Sequence, residues 1–190
     1  MRTNPVAAII LAAGASTRLG TPKQLIRLGT ETLLERTVRI AVEAGLDPVY
    51  GIVSANLPQD ACSHHMIRVL NPEAYEGMAS SIRVGLHAAE SGDSSLSGVV
   101  MLTCDQPAVT AKPLRELARG GDYVIGSAYA QKKGIPAYFP ASMFPQLMAL
   151  GGDVGARNLL RAARAIDLPG GELDIDTPED LERALQMSWT

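Results

Sequence analysis

The sequence predicts an α/β sandwich built on a mainly parallel β-sheet, and three observations lead there. Val6–Ala12 and Gly98–Thr103 are unbroken apolar runs without alternation, the pattern of strands covered on both faces. Such strands alternate along the chain with stretches that carry helical stripes. The residues richest in chemistry follow directly after strands, at the carboxyl edge where parallel sheets bind their ligands. These are GASTRLGTPK after the first strand, NPEAYEGMASS after the third and CDQP after the fourth.

Each element has its own signal. Val6–Ala12 is the first strand. Residues 32–44 read as a helix, with Thr32 and Glu35 as a capping box, Leu34, Val38 and Ala41 as its stripe and Gly45 as its stop. Residues 48–54 form the second strand and 66–70 the third, ended by NPEAYEG. Met78, Ile82, Leu86 and Ala89 make another helical stripe, and ESGDSSLSG after it is a solvated loop. Beyond Gly98–Thr103 come a helix near 112–119, a strand at 123–127 and KKGIPAYF as a further strand. GGDVGARNLLRAA reads as a loop leading into a helix, and 165–168 as a short strand. Thr177, Pro178 and Asp180 signal the start of a last helix.

A length of 190 residues fits one domain spanning 1–190. Hydrophobic residues make up 46% and aromatic ones only 4%, so the core must be aliphatic. A net charge of -3 and a pI near 5.6 argue against a general nucleic-acid binder but leave room for local anion sites. No apolar run reaches the roughly 18 residues of a membrane span. The first apolar stretch leads straight into a Gly/Arg/Lys loop and reads as a buried strand rather than a signal peptide, so the cytoplasm is the expected location. Cys62 and Cys104 make no disulfide framework. Cys62, His64 and His65 lie in a polar loop without a fourth ligand and are not read as a zinc site. Cys104 is read as a small packing residue.

The loop LAAGASTRLGTPKQ is neither G-x-x-x-x-G-K-[ST] nor G-x-G-x-x-G. It still carries what phosphate binding needs. Gly14 lets backbone N–H groups approach an anion, Ser16 and Thr17 offer hydroxyls, Arg18 a planar fork and Lys23 a point charge. A plain strand-to-helix turn would explain the same residues. Asp105 ends a buried strand beside Pro107, as a metal ligand or as an Asx-turn. In DIDTPED, capping accounts for Thr177, Pro178 and Asp180 but not for Asp176. Alternation would put Asp174 on the same face as Asp176, with Ile175 buried between them. In GGDVGAR, Asp153 and Arg157 suit either an anion at a helix N-terminus or ordinary capping.

LAAGASTRLGTPK resembles the signature of the MobA-like nucleotidyltransferases, L-A-[AG]-G-x-S-x-R-[ML]-G-x-x-K. NPEAYEGMASSIRVGL, CDQP, GIPAYF, GGDVGAR and DIDTPEDL follow in the order found in one branch, the molybdenum cofactor cytidylyltransferases. The resemblance implies a Rossmann-like three-layer α/β/α sandwich of the nucleotide-diphospho-sugar transferase type. It implies transfer of CMP from CTP to the phosphate of molybdopterin with release of pyrophosphate. On this reading the backbone of Leu11, Ala12, Ala13 and Gly14 frames base and sugar, and Ser16 lies in the same pocket. Arg18 and Lys23 hold the β- and γ-phosphates. Asn71, Gly77, Ser80 and Ser81 complete the nucleotide pocket, although Ser80 and Ser81 could equally face solvent. Asp105 and Asp176 hold Mg²⁺, with Mn²⁺ as the alternative, and Asp153 and Arg157 meet the acceptor.

Ala13 stands where guanylyl members carry glycine, which favours CTP over GTP. Ile135 stands where relatives often carry a polar residue, so no polar acceptor contact is expected there. A molybdoenzyme or its chaperone is a further partner implied by the resemblance, and the oligomeric state is left open. The alternatives are a GTP-using guanylyltransferase, a methylerythritol phosphate or sugar-phosphate nucleotidyltransferase, and a non-catalytic accessory protein that binds molybdenum cofactor. TPKQLIRLG is similar to the methylerythritol phosphate enzymes, but these carry a DAARP-like segment in place of CDQP.

Overall fold

Two apolar runs with no polar face must be covered on both sides, and that requirement builds the molecule. The computed structural model describes residues 4–152 and 155–189. β1 (Val6–Ala12) runs through the middle of a seven-stranded sheet. It pairs in parallel with β4 (Val49–Val53) on one side and with β6 (Gly98–Thr103) on the other. β5 (Ile67–Leu70) extends the sheet in parallel beyond β4. Beyond β6 lies β8 (Lys132–Pro140), antiparallel to its neighbours β6 and β7 (Ile125–Tyr129). β9 (Arg164–Asp167) closes that edge in parallel with β7. The order is therefore β5-β4-β1-β6-β8-β7-β9, parallel except for β8. KKGIPAYF is a strand as the sequence predicts, and it is the one that reverses direction. The chain leaves β1 for one side of the sheet and later returns to its other side at β6. The crevice between the carboxyl ends of β1 and β6 is thus the topological switch point.

Alternate side chains of the central strands feed two separate layers. Ala8, Ile10, Val100 and Leu102 pack with Leu34, Val38 and Ala41 of α1 (Leu33–Glu43) and Leu114 and Leu117 of α3 (Ala111–Leu117). Ile9, Val99 and Met101 pack with Ile82 and Leu86 of α2 (Met78–Gly92), Leu147 of α4 (Phe144–Met148) and Leu160 of α5 (Arg157–Leu160). Ile9 and Ile10 are both 0% exposed, and burying each is worth about 1.5–3 kcal/mol. α2 can lie this close only because Gly85 has no side chain: a Cβ there would sit 2.6 Å from Ile9 Cγ2. The result is three layers, helices on both faces of the sheet. No helix among the described residues is long and apolar enough to cross a membrane.

A smaller third core matters more for the site. The hairpin of β2 (Arg27–Leu28) and β3 (Glu31–Thr32) was not signalled by the sequence pattern. It packs Leu28, with Leu33, against Ile175 and against Ala184 of α6 (Pro178–Leu185). Leu19, Ile26, Leu181 and Trp189 border this cluster. Both expected capping boxes are present, Thr32 with Glu35 and Thr177 with Asp180. The helix after GGDVGAR is shorter than its sequence suggests, a single turn at Arg157–Leu160.

Candidate active site

The strand-end loop is folded by its own polar groups. Gln24, only 4% exposed, donates from Nε2 to the carbonyls of Ala12 at 2.6 Å and Gly14 at 3.1 Å. Ser16 has a φ of 50°, and its carbonyl accepts from the N–H groups of Leu19 and Gly20, both at 3.1 Å. The Ser16 hydroxyl oxygen accepts from the Lys23 N–H at 3.1 Å. The chain thereby doubles back and delivers Lys23, at the start of a 3-10 turn, over the switch point.

There Lys23 meets residues from two other segments. Its Nζ donates to Asp105 Oδ2 at 2.8 Å and to Asp176 Oδ1 at 2.6 Å. Arg18, largely exposed, donates to the other Asp176 oxygen at 3.1 Å. Burial alone would lower the Lys23 pKa, but the two carboxylates outweigh it and push it up to about 12. Asp174 stands at the surface of the same cluster. Loss of hydration on its inner side and repulsion from Asp105 and Asp176 push its pKa up to about 6.

The two carboxylate segments are joined by their backbones. The Ile175 N–H donates to the Asp105 carbonyl at 2.9 Å, and Ile175 is itself 0% exposed. Gln106 Nε2 donates to the Gly171 carbonyl at 2.9 Å. From α1, Arg36 Nε donates to the Pro107 carbonyl at 2.8 Å. Asp176 is tied to the start of α6, where its N–H donates to Asp180 Oδ2 at 3.2 Å. None of Gln24, Gln106 or Arg36 was marked by the sequence reading. Buried amides and a guanidinium that serve carbonyls far away in the chain leave no periodic trace.

The set of charges fits a divalent cation. Asp105 Oδ2 and Asp176 Oδ1 both close on one positively charged nitrogen. Mg²⁺ and Mn²⁺ use few carboxylates of this kind, with phosphate oxygens and waters completing the shell. Among the described residues no cluster of three or more His, Cys, Asp or Glu side chains forms a fuller cage.

The third predicted segment lines the same rim. Gly77 begins α2 with φ 101° and ψ -175°, a conformation that is essentially glycine's alone. No side chain caps this helix, which leaves backbone N–H groups of its first turn open to an anion. Asn71, Ser80 and Ser81 are 1%, 1% and 6% exposed, so neither serine faces solvent. Asn71 Nδ2 donates to both hydroxyl oxygens at 2.9 Å, and Ser80 donates onward to the Glu73 and Gly77 carbonyls. This network sets the shape of the turn at Gly77. Leu11, Ala12 and Ala13 are buried and offer the rim their backbone only. Arg157 is exposed at the start of α5, on the side of Tyr129, whose phenol feels its charge. Asp153 lies outside the described residues. Cys104 is 2% exposed and burial pushes its thiol up to about 12, in keeping with a packing residue.

Known proteins share this arrangement of chain. The chain is 30% identical over 203 residues to the purine catabolism protein PucB of Bacillus subtilis, covering 96% of this chain and 97% of that protein. It is 30% identical over 114 residues to a probable molybdenum cofactor guanylyltransferase of Opitutus terrae, covering 60% of this chain and 54% of that one. The crystal structure of Rv0371c from Mycobacterium tuberculosis matches with a TM-score of 0.81 at 29% identity, covering 97% of this chain and 100% of that chain. A complex of Rv0371C with manganese matches with a TM-score of 0.75 at 25% identity, covering 98% and 100%. Residues 8–167, which include the strand-end loop and Asp105, match the MobA-like NTP transferase domain. The Rossmann-like sandwich and this match agree: the chain belongs to the MobA-like NTP transferase family, a family of nucleotidyltransferases.

Proposed function

We propose that this nucleotidyltransferase moves CMP from CTP onto the phosphate of molybdopterin and releases pyrophosphate, with Mg²⁺ or Mn²⁺ held by Asp105 and Asp176. One observation carries the reading: Lys23 Nζ stands between two carboxylates from separate segments, at 2.8 and 2.6 Å, at the switch point of the sheet.

The acceptor phosphate is already ionised near neutral pH, so no side chain has to activate it. One of its oxygens forms a bond to the α-phosphorus of CTP. The bond from that phosphorus to the bridging oxygen breaks, and pyrophosphate leaves with the electron pair. Positioning and charge stabilisation supply the rate. A bound divalent cation would neutralise charge on the phosphate oxygens. Lys23 turns from the carboxylates to the β- and γ-phosphates as the nucleotide enters, and exposed Arg18 closes on the leaving group. The backbone of residues 11–14 and the open N-terminus of α2 at Gly77 frame the nucleoside. Ala13, 6% exposed, carries a methyl that a glycine would lack, and that added bulk beneath the loop backbone supports the smaller pyrimidine base. Arg157 takes the acceptor's phosphate, together with Asp153 four residues before it in sequence.

The likeness to a probable molybdenum cofactor guanylyltransferase supports the acceptor class, and the manganese complex of Rv0371C supports the metal. The test is pyrophosphate release from each of the four NTPs, with and without molybdopterin, in Mg²⁺ or Mn²⁺. Release with CTP that depends on both molybdopterin and metal is expected. Release with GTP instead would reassign the donor. Nucleotide binding without release under any condition would leave an accessory protein in place of the enzyme.

A further inference from the structure

We infer that Arg36 and Trp189 form a clamp that positions Asp105, an inference that rests on the metal-dependent transfer proposed above. Arg36 lies on α1, and its guanidinium is only partly buried. None of the ion pairs among the described residues includes it. Its two neighbours Glu31 and Glu43 are both held by Arg39. Arg36 instead donates from Nε to the Pro107 carbonyl at 2.8 Å and lies 5.0 Å from the centre of the Trp189 ring. A guanidinium that leaves its carboxylate neighbours to another arginine, and serves a backbone oxygen and an aromatic face, is doing positional work.

That oxygen matters because it belongs to CDQP. Asp105 is held from one side through its own carbonyl by the Ile175 N–H and through Gln106 by Gly171. Both bonds draw the loop toward the segment that carries Asp176. Arg36 adds a tie of its own at Pro107, reaching from α1. Trp189 sets where the guanidinium can go. Its indole N–H donates to the Ala184 carbonyl at 2.6 Å, and its ring borders the small core of Leu28, Leu33, Ile175 and Ala184. Leu19 and Ile26, on either side of Lys23 in sequence, border the same core. The Asp105 loop is thus tied to this small cluster twice, directly through the Ile175 N–H and through Arg36, whose guanidinium lies against Trp189.

The test compares Arg36→Leu, Arg36→Lys and Trp189→Leu with the wild-type chain. Two readouts are used: amide hydrogen exchange at residues 104–106, and steady-state pyrophosphate release. Arg36→Leu is expected to speed exchange at 104–106 about tenfold or more, because the loop loses its tie at Pro107. It is expected to lower kcat about 10- to 100-fold, as groups that hold a ligand in place do, with the KM for CTP within about threefold of wild type. Arg36→Lys keeps a donor and a charge, and is expected to recover most of both. Trp189→Leu lies at the periphery and is expected to shift both readouts the same way by less; it decides the matter if Arg36→Leu does not fold. Unchanged exchange at 104–106, or a kcat and KM that fall together with thermal stability and are not rescued by lysine, overturns the clamp. If the wild-type chain releases no pyrophosphate, the proposed function falls, and the exchange comparison still decides whether Arg36 holds the loop.

Discussion

Replacing Lys23 by methionine keeps an unbranched side chain one atom shorter and removes its charge, and the structure gives that change an unusual sign. Lys23 Nζ lies 2.8 Å from Asp105 and 2.6 Å from Asp176, so it occupies the space in which a metal ion would compensate those carboxylates. Its pKa rises from 10.5 to about 12, which corresponds to about 2 kcal/mol at roughly 1.4 kcal/mol per pH unit. The site opens to solvent, so about 1 kcal/mol survives screening. This stabilisation is complete below pH 10.5 and is lost only as pH rises through about 12, so it is constant across any ordinary assay. In Lys23→Met the carboxylates lose their resident cation. Without nucleotide, the variant should bind Mn²⁺ about fivefold more tightly than wild type, the equivalent of about 1 kcal/mol. CTP should bind about 10- to 100-fold more weakly, through loss of a charge-assisted bond worth about 1.5–3 kcal/mol. Titration calorimetry with Mn²⁺ alone, then with CTP, measures both. Equal or weaker Mn²⁺ binding by the variant, or an unchanged Kd for CTP, would refute the assignment of Lys23 to both places.

Asp105→Asn should abolish pyrophosphate release while leaving the thermal unfolding curve within a few degrees of wild type; wild-type turnover would remove Asp105 from the metal site. Gly77→Ala should cost about 1–3 kcal/mol in denaturant unfolding, because φ 101° with ψ -175° strains any side chain, and it should weaken CTP binding; an effect under about 0.5 kcal/mol would mean that the turn is freer than described. Asp174 has its pKa raised from 3.8 to about 6, so the folded chain keeps a proton that the unfolded chain has lost in that window, and stability falls as pH rises through it. In EDTA, Asp174→Asn should be about 1 kcal/mol more stable than wild type at pH 7 and no more stable at pH 4, a modest figure because the group is exposed. A variant with the same pH dependence as wild type would contradict this.

Much of the architecture was legible because its causes are local. β1 and β6 declare themselves by continuous apolar residues, and both capping boxes by hydroxyl and carboxyl groups three positions apart. The site charges were legible for a related reason. Asp105 comes two residues after the end of β6, Asp176 stands just ahead of the α6 cap, Lys23 ends the loop after β1, and side-chain capping accounts for none of them. The reversed strand β8 was not legible, since strand direction is decided by tertiary pairing rather than by any residue within KKGIPAYF. Nor was the burial of Asn71, Ser80 and Ser81. Each is polar, and only their mutual hydrogen bonds, formed across a turn of 9 or 10 residues, make burial affordable. Gln24 and Gln106 went unmarked for the same reason: an amide that serves distant carbonyls looks, in one dimension, like any surface glutamine.

Gln24 has a consequence for selectivity. By drawing the oxygens of Ala12 and Gly14 toward itself, it withdraws two electron-rich groups from the mouth of the crevice. With those two carbonyls engaged, a polyphosphate entering as proposed would not meet their repulsive dipoles at the loop. A neutral side chain would thus tilt the loop toward anions without any charged residue having to move.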